Sequence, residues 1–361
     1  MDDIKNLSFS QIRFLEVPWF RFCRPAACVS RPRVLFSKSM KKLIRSVVQR
    51  VLTGLAKVWL KRKKPKVIGI TGSCGKTSIK EALYAVLKTK FKVRKSLGNY
   101  NTEFGVPLTI LGLKSGNSSP LLWLSILAQA FYKAFFDPSR VDVLLLEMGV
   151  DKPLDMDDLL AVVKPSVAVF SNVKPVHLEG DQFLDLDAIF NEKSKLITNL
   201  PQFGTAILNV DDVRVKKLIP DAKCRVLTYS TLDSAASFSG RDISMSGDGL
   251  TFSVYNGTDR AAVTLPILGE YQVYVLLPAF ACGLLFGMNL LEIADALKSF
   301  ELPNGRMNIL AGINESILID SSYNSSPDAA FEALKVLKQV GENAHRKIAV
   351  LGNMNELGSF T

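Results

Sequence analysis

Apolar residues recur along this chain with two periods, and the period changes near residue 66. Over 40–60, Ile44, Val47, Val48, Val51, Leu52, Leu55 and Trp59 fall at helical spacing, with Arg45, Gln49, Arg50 and Lys57 elsewhere. The run predicts an amphipathic helix ended by Lys61-Arg62-Lys63-Lys64-Pro65. From 66 onward, short and nearly continuous apolar runs at 66–71, 141–147, 166–171 and 204–210 read as strands, with a shorter one at 91–95. Between them, 75–89 and 187–199 read as helices. Apolar strands alternating with helices predict an α/β fold: a three-layer, P-loop-type, mostly parallel sheet covered on both faces.

Residues 120–136, PLLWLSILAQAFYKAFF, are too short to span a bilayer comfortably and are interrupted by Lys133, which predicts a buried or surface-resting helix. Short β segments with glycine turns follow over 240–268, then helices over 271–287 and 290–299. Pro303-Asn304-Gly305 marks a linker, after which 315–320, 327–340 and 346–351 predict a β-α-β unit. The expected division is a basic N-terminal extension with a helix over 1–65, a central domain over 66–300 and a partial Rossmann-like domain over 301–361. A lone β-α-β unit cannot cover both faces of its sheet.

Charge sharpens this division. Residues 1–64 hold sixteen Lys and Arg against Asp2, Asp3 and Glu16, so the rest of the chain carries −2 of the total of +11. Two readings of the basic helix stand: it lies on an anionic membrane surface through 40–64, or it packs on its own domain. With Trp59 as its one aromatic residue it offers little to nucleic-acid bases. Five cysteines without a CxxC pair argue against a zinc site or a disulfide framework and for a reduced, cytoplasmic setting. The acidic start and interrupted apolar runs do not resemble a signal peptide.

The densest chemistry lies at KVIGITGSCGKTS, residues 66–78. Its spacing, G-x-x-G-x-x-G-K-T from Gly69, departs from the usual nucleotide loop, which needs glycine where Ile70 stands. A strand, a glycine-rich turn and a helix start still make an anion site. Backbone N–H groups of Gly72, Ser73, Cys74, Gly75 and Ser78 would surround phosphate, Lys76 would add a charge and Thr77 a hydroxyl for Mg²⁺. Glu147 ends an apolar strand, where ligands of open α/β sheets gather, and suits a phosphate-bound Mg²⁺. On their own, His177 reads as a structural histidine and Lys193 as a solvated lysine.

The segments GITGSCGKTS, GNYNTEFGVPLTIL, LLLEMG, VHLEG, EKSKLI, GTAILNVDD, GRMNIL, IDSSYNSSPDAAFEAL and IAVLGNMNELG occur in the order seen in the Mur ligases. The chain resembles this family over about residues 66–361, and within it the MurF type, the UDP-N-acetylmuramoyl-tripeptide:D-alanyl-D-alanine ligases. The resemblance implies an ATP- and Mg²⁺-dependent amide ligase of peptidoglycan precursor synthesis. A substrate carboxylate attacks the γ-phosphate, and an amine then displaces phosphate from the acyl phosphate. The expected partners are a UDP-muramoyl peptide and D-Ala-D-Ala. The resemblance places Lys76 on the β- and γ-phosphates, Thr77 and Glu147 on a first Mg²⁺, and His177 on a second. Lys193 stands where the family carries a carbamylated lysine that helps hold the second metal. Asn101 falls near the reacting groups, and Arg306, Asp320, Tyr323 and Asn324 match positions that close over ATP.

Three departures stand out. Where MurF-type enzymes read G-x-H-N-V-x-N, this chain has Gln272, which keeps the adenine-holding amide on a longer stem, and Val275, which loses one. Ser321 replaces a usual aspartate. Residues 1–65 are too short and too basic for the family's UDP-sugar-gripping domain, and 301–361 is about half the expected last domain or less. The alternatives are another Mur-type amino-acid or peptide ligase, or a truncated nucleotide-binding pseudoenzyme.

Overall fold

The computed structural model describes residues 12–14 and 38–357, without 99, 117–118, 181, 248, 341–343 and 355. Most of the predicted extension before residue 38 lies outside the described residues, as do Asn355 and Gly358 of the last family segment. In chain order the elements begin with β1 (Ile12–Phe14), α1 (Lys38–Lys63), β2 (Lys66–Thr71), α2 (Lys76–Leu87), β3 (Val93–Lys95), α3 (Gly105–Leu111), α4 (Pro120–Phe136) and β4 (Val143–Glu147). Next come α5 (Asp155–Val162), β5 (Val167–Phe170), α6 (Leu186–Thr198), β6 (Thr205–Asn209), α7 (Val213–Lys216), β7 (Arg225–Ser230), β8 (Phe238–Ser246), β9 (Gly249–Asn256) and β10 (Asp259–Leu265). A 3₁₀ turn at Glu270–Gln272 leads to α8 (Val273–Leu285) and α9 (Leu290–Leu297), then β11 (Asn308–Ala311), β12 (Ile317–Asp320), α10 (Pro327–Val340) and β13 (Lys347–Ala349).

Nine strands form one sheet in the order β10-β9-β8-β7-β6-β5-β2-β4-β3. Neighbours from β3 to β8 are parallel, and β8, β9 and β10 are antiparallel. Side chains alternate across a strand, which sorts the core into two layers. Ile68, Ile70, Val143, Leu145 and Val169 face α2, α8 and α9. Val67, Leu144, Leu146, Ala168 and Phe170 face α1, α3, α5 and α6. The three-layer α/β/α architecture is therefore present, with β2 between β4 and β5 at its centre. The chain leaves β2 toward one edge of the sheet and returns through β5 on its other side. Such a switch point opens a crevice beyond the carboxyl ends of the strands.

Strand β7 and helices α3, α5 and α7 were not legible in the pattern, because their apolar runs are short or interrupted. The basic helix is real, and half of its apolar stripe is spent on packing. Leu52, Ala56 and Trp59 are fully buried against the sheet's α4 side, with Val48 and Leu55 partly so. Ile44, Val47 and Val51 are exposed. Arg62 donates to the Ala134 carbonyl at 2.6 Å and Lys63 to that of Ser139 at 2.8 Å, tying the ends of α1 and α4 together.

Beyond the linker, the predicted β-α-β order holds but its two strands do not pair. β12 forms an antiparallel hairpin with β11, and β13 pairs in parallel with β1 from the N-terminal segment.

Candidate functional site

The glycine-rich turn between β2 and α2 is shaped by its neighbours. Gly72 has φ 137°, and a Cβ there would stand 1.9 Å from Ser171 Oγ, so no larger residue fits. The segment after β5 clasps the turn: Ser73 N–H donates to the Asn172 carbonyl and Cys74 N–H to Asn172 Oδ1, each at 2.9 Å. The cap residue of α2 is Gly75, left-handed at φ 86°, and no side chain caps the helix. Its first-turn N–H groups therefore face outward with the positive end of the helix dipole behind them, as an anion requires.

Lys76 curls back onto this turn, its Nζ donating to the Gly72 carbonyl at 2.6 Å and that of Ser73 at 3.1 Å. Burial holds its ammonium below the ordinary lysine range, opposed by Cys74 and Glu147. One residue on, Thr77 Oγ1 donates to Glu147 Oε2 at 3.1 Å. Glu147 is buried at the carboxyl end of β4, beside β2. Its other oxygen, Oε1, lies 2.8 Å from the buried Lys80 Nζ but has no aligned hydrogen-bond donor. Lys80 also donates to the Ser96 carbonyl at 2.8 Å.

A hydroxyl and a carboxylate in contact, with a carboxylate oxygen lacking an aligned donor, form a donor set suited to a hard divalent cation shared with phosphate oxygens. Among the described residues, no group of three or more His, Cys, Asp or Glu could hold a metal alone. The residues thus fit Mg²⁺ brought by a nucleotide rather than a cage built by the protein.

The remaining predicted residues divide into those that join this centre and those that do not. Lys193 lies fully buried on α6, and its Nζ has no hydrogen-bond partner. Burial, then repulsion from Lys76, lowers its pKa to about 7, with Asp151 and Cys74 acting in the opposite direction. Lys76, Asp151 and Cys74 therefore share one electrostatic neighbourhood with Lys193, although the chain reaches it from a separate helix. A buried lysine that is half neutral near pH 7 is chemically suited to react with CO₂.

His177 is held in the left-handed region at φ 58°. Its Nδ1 is 2.7 Å from Glu356 Oε2, and its Nε2 is 3.5 Å from Asp151 Oδ1. Leu178 N–H also donates to the Glu356 carbonyl at 3.0 Å. A non-glycine residue in this conformation costs on the order of 1–3 kcal/mol and persists where its surroundings fix it. Asn101 lies against the end of β4: Gly149 N–H donates to its carbonyl at 3.3 Å, and a Cβ on Gly149 would fall 2.6 Å from its Nδ2.

Arg306 crosses from the linker to donate to Thr77 Oγ1 at 3.2 Å and lies over the Tyr323 ring, 4.5 Å from its centroid. Gln272 is buried, donates to Tyr271 Oη at 3.1 Å and leaves its Oε1 unpartnered. That orphaned acceptor suits an N–H donor such as an amino group of a base. Asp320 ends β12, where it accepts from Ser322 N–H at 3.0 Å. Ser78 is buried at the start of α2.

Four contributors escaped sequence reasoning: Lys80, Asn172, Asp151 and Glu356. Lys80 carried one available signal, a lysine one turn after Lys76 on an otherwise apolar helix face. The others sit in loops whose positions only the fold sets.

The Mur ligase middle domain matches residues 70–283. The UDP-N-acetylmuramoyl-tripeptide--D-alanyl-D-alanine ligase of Bacillus subtilis is 28% identical over 309 residues, 86% of this chain and 60% of that protein. The Borreliella burgdorferi protein of the same name is 31% identical over 323 residues, 88% of this chain and 62% of that one. This chain thus spans about three-fifths of the length of these relatives. Among solved structures, MurF from Acinetobacter baumannii superposes with TM-score 0.72 at 24% identity, over 86% of this chain and 62% of that chain. MurF ligase from Thermotoga maritima, solved in complex with ADP, superposes with TM-score 0.71 at 25% identity, over 92% and 68%. The matched middle domain takes in the turn, Glu147, His177, Lys193 and Gln272 together, and this chain belongs to the Mur ligase family.

Proposed function

We propose that this chain carries the nucleotide-binding and ligating centre of an ATP-dependent amide ligase that joins D-Ala-D-Ala to a UDP-muramoyl peptide in peptidoglycan precursor synthesis. The observation that supports it best is the convergence of Lys76, the Thr77–Glu147 pair and Lys193 from three elements at the switch point. In this reading the α2 N-terminus takes the phosphates of ATP, and Lys76 exchanges the carbonyls of Gly72 and Ser73 for the β- and γ-phosphates. Thr77 and Glu147 hold Mg²⁺, which neutralises charge on the phosphate oxygens during transfer. Lys80, with its Nζ 2.8 Å from Glu147 Oε1, holds the carboxylate in place.

Lys193, as its carbamate, and His177 hold a second metal, with Asn101 beside the reacting groups. Gln272 accepts from the adenine amino group. Arg306 and Asp320 bring the last segment over the nucleotide, so 66–300 acts as the ATP-binding domain and 301–361 as part of a closing domain. The substrate carboxylate attacks the γ-phosphorus in line, the bond from that phosphorus to the β–γ bridging oxygen breaks, and ADP leaves an acyl phosphate behind. The incoming amine then attacks the acyl phosphate carbon, and phosphate leaves. The site of action is the cytoplasm, where ATP is available, with the 40–64 segment against the inner face of a membrane.

The test is ADP release by the protein with a UDP-muramoyl tripeptide and D-Ala-D-Ala, added singly and together, beside a direct ATP-binding measurement. Release only with both substrates, lost by about 10²-fold or more in Lys76→Ala, supports the ligase. ATP binding without release under any combination supports a nucleotide-binding protein that no longer ligates. Unchanged binding and turnover in Lys76→Ala would remove the turn from the site.

A further inference from the structure

Helix α4 is built inside out for a surface helix. Its buried stripe is Ile126, Ala130 and Ala134. At 100° per residue the face opposite that stripe carries Leu124, Ala128, Phe131 and Phe135. A water-facing helix would place its polar residues there. Here the polar residues Ser125, Gln129 and Lys133 form a narrow stripe on the flank. Leu121, Leu124, Phe131, Tyr132 and Phe136 are each more than half exposed. Side by side with α4 runs α1, whose Leu43, Ile44, Val47 and Val51 are exposed as well. Exposed apolar side chains gathered on two neighbouring helices mark an interaction site.

Charge narrows the occupant. Neither helix contains an acidic residue, and α1 carries nine Lys and Arg. Where the two helices end together, a cavity of about 460 Å³ is walled by Arg62, Lys63, Lys64, Lys66 and Arg140. Its one carboxylate, Asp142, is already engaged by Arg140 at 2.6 Å and by the Lys92 N–H at 2.9 Å. An outward aromatic face that ends at a cation-walled pocket matches an acyl layer beneath a layer of phosphates. No helix of the described residues is long and apolar enough to cross a membrane, so the fitting geometry is one that lies in the interface.

We infer that α4 is a membrane-surface anchor: its outward face rests among the acyl chains of an anionic bilayer, and the pocket at its carboxyl end takes lipid phosphate. This rests on the membrane-surface part of the proposed function, not on the ligase part, and it moves the apolar anchor from α1, which is half spent on packing, to α4.

Co-sedimentation of the full chain with vesicles of phosphatidylcholine, with and without 30% phosphatidylglycerol, tests it. Binding should require phosphatidylglycerol and fall with salt. Phe131→Ser with Phe135→Ser should weaken it by about tenfold or more at unchanged charge, since each loses its buried aromatic area. Lys64→Glu with Arg140→Glu should weaken it comparably, while millimolar inorganic phosphate should not compete as a free ligand would. All four positions lie outside the core, and an unchanged thermal midpoint checks that the variants fold. Absence of vesicle binding by the unmodified chain overturns the inference together with the membrane-surface reading. If Leu43→Ser with Val47→Ser abolishes binding and the α4 pair does not, the 40–64 reading stands and the α4 anchor falls. A dimer in solution that the α4 pair converts to monomer assigns the face to a second copy and likewise overturns it.

Discussion

Strands β4 and β12 read alike in the sequence, VLLLE and ILID, yet they end in opposite environments. Every residue of β4 is buried, because β2 and β3 flank it and helices cover both faces. In β12, Ile317 and Leu318 are exposed and only Ile319 packs against a cluster, whose buried members are Leu268, Met307 and Val336. An apolar run is therefore enough to specify a strand, but burial is supplied by what the topology lays beside it. The charges follow the same division. Lys80 and Glu147 meet inside the central sheet, whereas Lys174 and Asp328, which join the central domain to α10, meet at the surface, 3.2 Å apart.

The largest effect should come from the buried pair. Lys80→Met leaves Glu147 without its counter-charge and should cost about 3–5 kcal/mol in chemical denaturation. A Lys80→Met, Glu147→Gln double variant should recover a large part of that. A loss under ~1 kcal/mol would mean that the pair is solvated and the contrast with the surface pair is false.

Next in size is the comparison of strands. Leu145→Ala should cost about 2–5 kcal/mol, through lost burial and the cavity it leaves. Leu318→Ala, exposed in the two-stranded hairpin, should stay within about 0.5 kcal/mol. Equal costs would show that the hairpin is covered in solution.

Lys193, on α6, gives a pH signature. Its folded pKa, about 7, lies below its unfolded value of 10.5. Between those values the unfolded chain binds the extra proton, so stability rises with pH, by at most about 1.4 kcal/mol per unit for one group. Below pH 7 the full cost of burying the ammonium applies. In bicarbonate-free buffer Lys193→Met should therefore stabilise the protein at pH 6, with the gain shrinking toward pH 9. A gain independent of pH would show that Lys193 does not titrate in this range.

The smallest effect belongs to the surface pair. Asp328→Asn should lower stability by under about 1 kcal/mol, and salt should erase the difference. A larger, salt-resistant loss would make Lys174–Asp328 a true bond between the segment after β5 and α10.

The glycine-rich turn was legible because its requirements are local. Gly72, Gly75, Lys76 and Thr77 follow one another between the end of β2 and the start of α2, so the needed residues are neighbours in the chain. The β2, β4, β5 and β6 strands were legible for the same reason, since a strand covered on both faces is apolar throughout. Lys80 was not legible, because a helix lysine is ordinarily solvated. Its burial depends on Ser96, just after β3, and on Glu147 at the end of β4. Gln272 could be singled out, but its unpartnered oxygen could not. The stripe on α1 was visible, whereas the division of labour between Leu52 and Val51, buried and exposed one residue apart, was set by where α4 lies.

The sequence by itself determined the elements whose causes are local: the strand and helix periods, the glycine turn with its lysine and threonine, and the basic, acid-free α1. Only the tertiary structure decided which apolar positions are covered and which stay open, and which charges meet. It brought Lys193 from α6 into the field of Lys76, set Glu356 against His177 and turned the apolar face of α4 outward. The physical reason is that covalent order fixes spacing within a few residues, while burial and electrostatic coupling depend on neighbours that a chain acquires only when distant segments close on one another.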